Sequence, residues 1–163
     1  MRPLMPADVD LLSRATLDNL NWSERRFTAQ DVENESSFRH YTRVVRERGD
    51  FGVVAEHAGE PIGVAWAQLL PAGDPGYGFI DESTPEISLW VGADSRGRGV
   101  GRCLLRRLKA EAVGRRLHRL SLSVERGNYA RDLYSSEGFV PVVGREADGV
   151  MLWTSEELPT QRA

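Results

Sequence analysis

The chain has 163 residues, of which 40% are hydrophobic and 28% charged, with a formal net charge of −3. That is one globular domain's worth of sequence, too apolar for a disordered chain and without an apolar run long enough to span a bilayer. The charge is segregated: Arg96–Arg131 alone carries +9, the remainder −12, and one basic third in an acidic chain points to a polyanionic ligand there.

A short apolar start at Leu4 and Met5 leads through Pro6 into a helical pattern of Val9, Leu12, Ala15, Leu17 and Leu20. No signal-peptide core precedes it, which implies a cytoplasmic protein. Thr28 and Asp31 have the spacing of a capping box and predict a second helix over roughly 29–48, closed by Gly49. Strand-like runs Phe51–Glu56 and Ile62–Leu70 flank a turn and predict an antiparallel hairpin. A loop rich in Gly and Pro, 71–85, precedes the apolar stretch Glu86–Val91. Glycines 97, 99 and 101 open a helix with Val100, Leu104, Leu105, Leu108 and Ala112 on one side and Gly114 as its cap. Cys103 is expected on that apolar face, as core rather than nucleophile. As the lone cysteine it forms no intramolecular disulfide, and His40, His57 and His118 show no metal-ligand spacing.

Further on, Leu120, Leu122 and Val124 alternate with Arg119, Ser121 and Ser123, the pattern of a half-buried strand. Residues 128–137 read as a short helix ended by Gly138, followed by strands Phe139–Val143 and Val150–Thr154. The order predicts a three-layer α/β arrangement with a mixed sheet. Its central strand–helix–strand unit is expected to be a right-handed crossover joining parallel strands. Trp22, Trp66, Trp90 and Trp153 are expected as core or pocket walls.

The segment from Glu86 to Arg102 carries the chemistry. A strand ends, and closely spaced glycines open an Arg-lined helix. Glycines let backbone N–H groups approach a ligand, and a helix N-terminus adds unpaired donors and partial positive charge. The physical reading is a phosphate or pyrophosphate cradle. A P-loop is excluded because Gly101 is followed by Arg102 and Cys103. The dinucleotide fingerprint beginning at Gly97 fails because it needs glycine where Arg102 stands.

The pattern R-x-x-G-x-G does fit, from Arg96 to Gly101. It resembles the acetyl-CoA signature of the GNAT-type N-acetyltransferases. Downstream, Asn128, Ala130, Leu133, Tyr134, Gly138 and Phe139 match the fixed positions of that family's N-x-A-x-x-L-Y-x-x-x-G-F segment. The resemblance covers about 3–154 and implies a single GNAT-like α/β domain with 155–163 as a C-terminal tail. Such a domain has a mixed central sheet of about six to seven strands flanked by about four helices.

The resemblance also implies roles. Leu89, Trp90 and Val91 would offer backbone to the pantetheine arm of acetyl-CoA, their strand splaying from the one at 118–124. Arg96, Gly97, Arg98, Gly99, Val100, Gly101 and Arg102 would hold the pyrophosphate, and Asn128 the pantetheine region. Tyr134 would protonate the departing thiolate, a task suited to a phenol with a pKa near ~10. A backbone N–H near Val91 would stabilise the tetrahedral intermediate of direct attack. The attacking amine needs a proton acceptor, for which Glu86 is the candidate. The family's carboxylate falls at the opposite strand parity, here Pro85, so Asp81 and Glu82 stand as alternatives. Acidic residues 31, 33, 35, 74, 81 and 82 suggest a cationic acceptor: a small amine, a polyamine, an aminoglycoside or a peptide N-terminus. No metal and no membrane partner are expected, and a homodimer is compatible with the sequence. The rival reading is a non-catalytic GNAT-like module that binds CoA or nucleic acid through its Arg-rich helix. Nucleic acid is disfavoured, because no aromatics interleave with the arginines.

Overall fold

Alternation along the strands sorts apolar residues onto two faces, and the helices cover both. The computed structural model describes residues 1–156 and has seven strands. These are β1 (Arg2–Pro3), β2 (Phe51–His57), β3 (Glu60–Gln68), β4 (Glu86–Val91), β5 (Arg119–Ser123), β6 (Val140–Pro141) and β7 (Val150–Thr154). They form one mixed sheet in the order β1-β2-β3-β4-β5-β7-β6, with β4 and β5 parallel and the other neighbours antiparallel. Residues 157–163 of the expected tail lie outside the described residues.

On one face, helix α1 (Val9–Leu20) packs Leu11, Leu12 and Ala15 against Val54, Val64, Trp66 and Trp90. On the other, α4 (Val100–Gly114) buries Leu104, Leu105, Leu108 and Ala112 against Val53, Ala65, Ile87, Leu120 and Leu122. Each of those fully buried leucines contributes about 1.5–3 kcal/mol. Helix α5 (Ala130–Ser136) joins the second core through Tyr134, with Phe139 just beyond it. Cys103 is exposed, contrary to the apolar-face expectation. It belongs to the stripe of Arg106 and Arg107, three and four residues on, and both of those are exposed. Helix α4 also ends differently: the left-handed residue is Arg116, at φ 62°, and Leu117 N–H bonds the Ala112 carbonyl at 2.9 Å.

The predicted long helix over 29–48 is broken into pieces. The capping box is present, with Thr28 N–H donating to Asp31 Oδ2 at 2.7 Å, but α2 spans only Ala29–Asn34. Glu35 is extended, α3 covers Ser36–Arg39, and 3-10 turns follow at His40–Thr42 and Arg46–Arg48. The reason is geometric. Val32, Phe38, Tyr41 and Thr42 are all buried, and at 100° per residue one continuous helix would turn Val32 away from the other three. Strand β6 is also shorter than expected: Pro141 has no N–H to give, which suits a sheet edge.

Much of the basic stretch is spent inside the molecule. Glu137, buried at the end of α5, takes Arg102, Arg106 and Lys109 from α4. Burial alone would raise its carboxyl, but hydrogen bonds from the three cations outweigh that and hold it at about 2. Arg115 pairs with Glu111, and Arg119 with Asp81. Glu137→Ala is expected to cost on the order of 2 kcal/mol by removing charge-assisted hydrogen bonds that tie α4 to α5. Chemical denaturation checks it, and an unchanged midpoint would contradict it. The sign on pH follows from the depressed pKa: this stability is present above the ordinary Glu range near 4.5 and is lost as pH falls toward 2.

Candidate active site

Strand β4 meets β5 only at its first residue. Glu86 pairs with Ser121, and Ser121 N–H bonds the Pro85 carbonyl at 2.9 Å; past that point the parallel ladder stops. Gly92 N–H bonds Ile62 of the β3 side, so ladder alternation turns the backbone groups of Leu89 and Val91 toward the gap. Asn19 Nδ2 occupies the Leu89 carbonyl at 3.1 Å, and Arg96 Nε occupies that of Val91 at 3.0 Å. The N–H groups of Leu89 and Val91 therefore face the gap as donors.

A cavity of about 750 Å³ opens along this gap. Leu89, Val91, Glu86, Asn128 and Tyr134 line it, together with Arg96, Gly97, Gly99, Val100, Gly101 and Arg102 of the glycine turn. Two expected members do not. Arg98 is exposed away from it, and Trp90 faces the opposite side of β4, where its indole N–H bonds Asp18 at 2.9 Å and Arg14 lies over its ring. Trp90 is thus a core wall on the α1 side, as strand parity requires.

The turn itself has the conformation its glycines allow. Gly97 and Gly99 sit at φ 72° and 80°, and no side chain caps the start of α4. The uncapped N-terminus presents backbone donors and partial positive charge to an anion. Arg102 lines the cavity yet bonds Ser136 and Glu137, so its guanidinium is partly committed to the fold. Asn128 Oδ1 accepts from Ala130 N–H at 2.9 Å, which starts α5 and leaves its Nδ2 without a partner among the described residues.

The two titratable groups lie at different depths of chemistry. Tyr134 is buried with its ring edge-on to Phe139 at 5.8 Å, and its hydroxyl has no partner among the described residues. Burial pushes its pKa well above the ordinary phenol value, so it remains an O–H donor at any working pH. Glu86, 5% exposed, is held by Tyr41, whose hydroxyl donates to Oε1 at 2.7 Å, and by Gly78 N–H at 3.0 Å. Its other oxygen, Oε2, is buried and has no partner among the described residues. Burial pushes this carboxyl up to about 7, against the two hydrogen bonds, which pull it down.

The alternative carboxylates fall elsewhere. Burial would raise Asp81, but Ser83, Thr84 and Arg119 more than offset it and hold it at about 2, and it does not line the cavity. Glu82 is exposed and accepts from Ala72 N–H at 2.9 Å. Asp31 caps α2, and Asp74 bonds His40. The carboxylates that line the cavity besides Glu86 are Asp18, Glu125 and Asp148. Each is already partnered, by Trp90, by Trp22 and Arg26, and by Arg145 respectively. Phe27, Phe38, Tyr41 and Tyr77 give the cavity aromatic walls, Tyr41 directly on Glu86 and Tyr77 stacked on Tyr41. Sequence reasoning missed them, because Phe38 and Tyr41 sit inside the stretch read as one helix and Tyr77 in a loop. Among the described residues there is no group of three or more His, Cys, Asp or Glu able to hold a metal ion. No helix among them is long and apolar enough to cross a membrane.

Comparison with known proteins bears on the family and the fold. The model of the acetyltransferase (GNAT) family matches residues 14–139. The chain is similar to the ribosomal-protein-alanine N-acetyltransferase of Brucella melitensis, at 26% identity and a TM-score of 0.59, over 94% of this chain and 98% of that one. It shares its fold with yncA of Salmonella typhimurium, solved with its cofactor acetyl-CoA, at 22% identity and a TM-score of 0.66, over 99% and 96%. The PaiA N-acetyltransferase of Thermoplasma acidophilum, solved in complex with coenzyme A, matches at 15% identity and a TM-score of 0.59, over 94% and 99%. No curated protein sequence matches the chain at a significant level.

Proposed function

The chain belongs to the GNAT acetyltransferase family, and from that premise we propose that it moves an acetyl group from acetyl-CoA to a primary amine by direct attack. One observation carries the reading: Glu86, Tyr134 and the uncapped glycine turn line a single cavity, along a gap between two strands that have stopped pairing. The residues fit the cosubstrate. The turn at 97–101 offers donors for a pyrophosphate, and Leu89 and Val91 offer N–H groups to an extended amide-bearing arm. Acetyl-CoA supplies the activated thioester when bound.

Within that frame Glu86 accepts the proton that the amine must lose, since a free amine pKa near ~10 leaves it protonated at neutral pH. The Val91 N–H, directed into the gap, is a donor for the developing oxyanion. Tyr134 returns a proton to the thiolate. Cys103 takes no part: it is exposed and does not line the cavity.

The acceptor reading changes from the one charge counting suggests. The acids at 31, 74, 81 and 82 are committed to caps, turns and ion pairs away from the cavity. At the acceptor end the walls are aromatic, and Glu86 is the lining carboxylate that meets no cation or indole among the described residues. One ammonium group can be accommodated there, with an apolar substituent against Phe27, Phe38 and Tyr77. The expected outcome of a free-thiol assay over an amine panel is a kcat/KM at least about tenfold higher for a compact apolar monoamine than for spermidine, the equivalent of roughly 1.4 kcal/mol. Preference for the polyamine would contradict this acceptor class. No turnover with any amine would remove the enzymatic reading.

A further inference from the structure

The carboxylate at the centre of the site is held from outside its own strand. Tyr41 lies in the 3-10 turn His40–Thr42, and its hydroxyl sits between two partners. It donates to Glu86 Oε1 at 2.7 Å and accepts from Tyr77 N–H at 2.8 Å. Gly78 N–H, from the next residue of the same loop, reaches that same Oε1 at 3.0 Å. All the donors on Glu86 thus converge on one oxygen, and Oε2 is left buried without a partner among the described residues.

Tyr41 is itself fixed with some force. Gln68, fully buried on β3 beside Glu86, donates to the His40 and Arg43 carbonyls at 2.6 and 2.7 Å, which pins the backbone on either side of Tyr41. His40 packs edge-on to the Tyr41 ring and is paired with Asp74 of the loop. Tyr77 stacks on the same ring, with ring centroids 6.5 Å apart. The titratable groups facing Glu86 are therefore the Tyr41 phenol and, behind it, Tyr77. The His40–Asp74 pair bonds to itself and touches the Tyr41 ring, and the β3 neighbour Gln68 is uncharged.

Resting on the reading of Glu86 as base, we propose that Tyr41 is a positioning residue. It locks Glu86 Oε1 and, through Tyr77 N–H, ties the carboxylate to the acceptor loop 76–78. Burial drives the Tyr41 phenol far above its ordinary pKa, so the donor is permanent. Because its hydrogen bond goes to the ionised carboxylate, its loss must raise the carboxyl pKa of Glu86.

The test is the pH dependence of kcat/KM for the amine in the wild type, Tyr41→Phe, Glu86→Gln and the double variant. Tyr41→Phe keeps the ring and its stacking. It is expected to lose about tenfold in kcat at pH 7 with the KM for acetyl-CoA within about twofold. Its acid limb is expected to move up by about one pH unit, so that activity recovers at high pH. The double variant is expected to be no slower than Glu86→Gln alone, because Tyr41 acts through that carboxylate. Gly76→Ala attacks the pair from the other side, since its new methyl would meet both Glu86 Oε2 and the Tyr41 hydroxyl well inside contact distance. The same non-additivity is expected there. Parallel pH profiles, or losses that add in the double variants, overturn the proposal while leaving acetyl transfer standing. An unaffected Glu86→Gln removes the base assignment, and this inference with it.

Discussion

Glu86→Gln is expected to lower kcat/KM for the amine by about 10²–10⁴-fold and to erase the lower inflection of its pH profile. Glutamine keeps the shape and an oxygen for Tyr41 and Gly78 to bond, but it cannot accept a proton. In the wild type the carboxyl is pushed up to about 7 by burial, so the fraction able to act as base rises as pH climbs through that value. The amine reaches Glu86 as its ammonium, so the wild-type profile levels off above that value, whereas the variant must take the neutral amine and keeps rising toward ~10. A rise displaced from about 7 in the wild type to the amine's own pKa in Glu86→Gln is the signature. The same burial leaves a mark on stability. Folded Glu86 holds its proton to about 7 against an ordinary 4.5, so the native state binds more protons than the unfolded chain between those values. This group's contribution is full below 4.5 and is lost as pH rises through 7, a difference of about 3 kcal/mol. The Tm of the wild type should therefore fall more between pH 5 and pH 8 than that of Glu86→Gln.

Tyr134→Phe is expected to cost on the order of 10² in kcat with the KM for acetyl-CoA nearly unchanged. The hydroxyl has no partner among the described residues, while the ring packs on Phe139 within the α4-side core. Deleting the oxygen breaks no internal hydrogen bond, so Tm should hold or rise slightly. A loss of rate without a loss of stability then belongs to the chemistry. If the variant turned over at the wild-type rate, Tyr134 would be a core aromatic and the leaving thiolate would take its proton from elsewhere.

Legibility of the sequence followed the range of the interactions concerned. The β2–β3 hairpin, the glycine turn and α4 were readable because their signals are local: a turn at Ala58–Gly59 with both φ positive, glycines where φ must be positive, and an unbroken apolar stripe. The parity of β4, with Glu86 and Trp90 on one face and Leu89 and Val91 on the other, followed from alternation alone. Trp90 is drawn out of the cavity by its α1 contacts, Asp18 on its indole N–H and Arg14 over its ring. What was not readable depends on tertiary contact. The breaks at Glu35 and Arg43 arise because Val32 must be buried together with Phe38, Tyr41 and Thr42, which one continuous helix would not allow. The partner of Glu86 is 45 residues away in sequence. The acids that line the cavity are not the ones grouped in sequence, and three arginine-stretch cations close on Glu137 rather than on a ligand.

The central claim is direct acetyl transfer to an amine nitrogen, and the most direct measurement follows a labelled acetyl group from acetyl-CoA in the presence of a compact apolar monoamine. The account predicts one labelled amide and one free thiol per turnover, with no labelled protein when the amine is left out. Label on the protein before amine is added, or thiol release that exceeds amide formation, would contradict it.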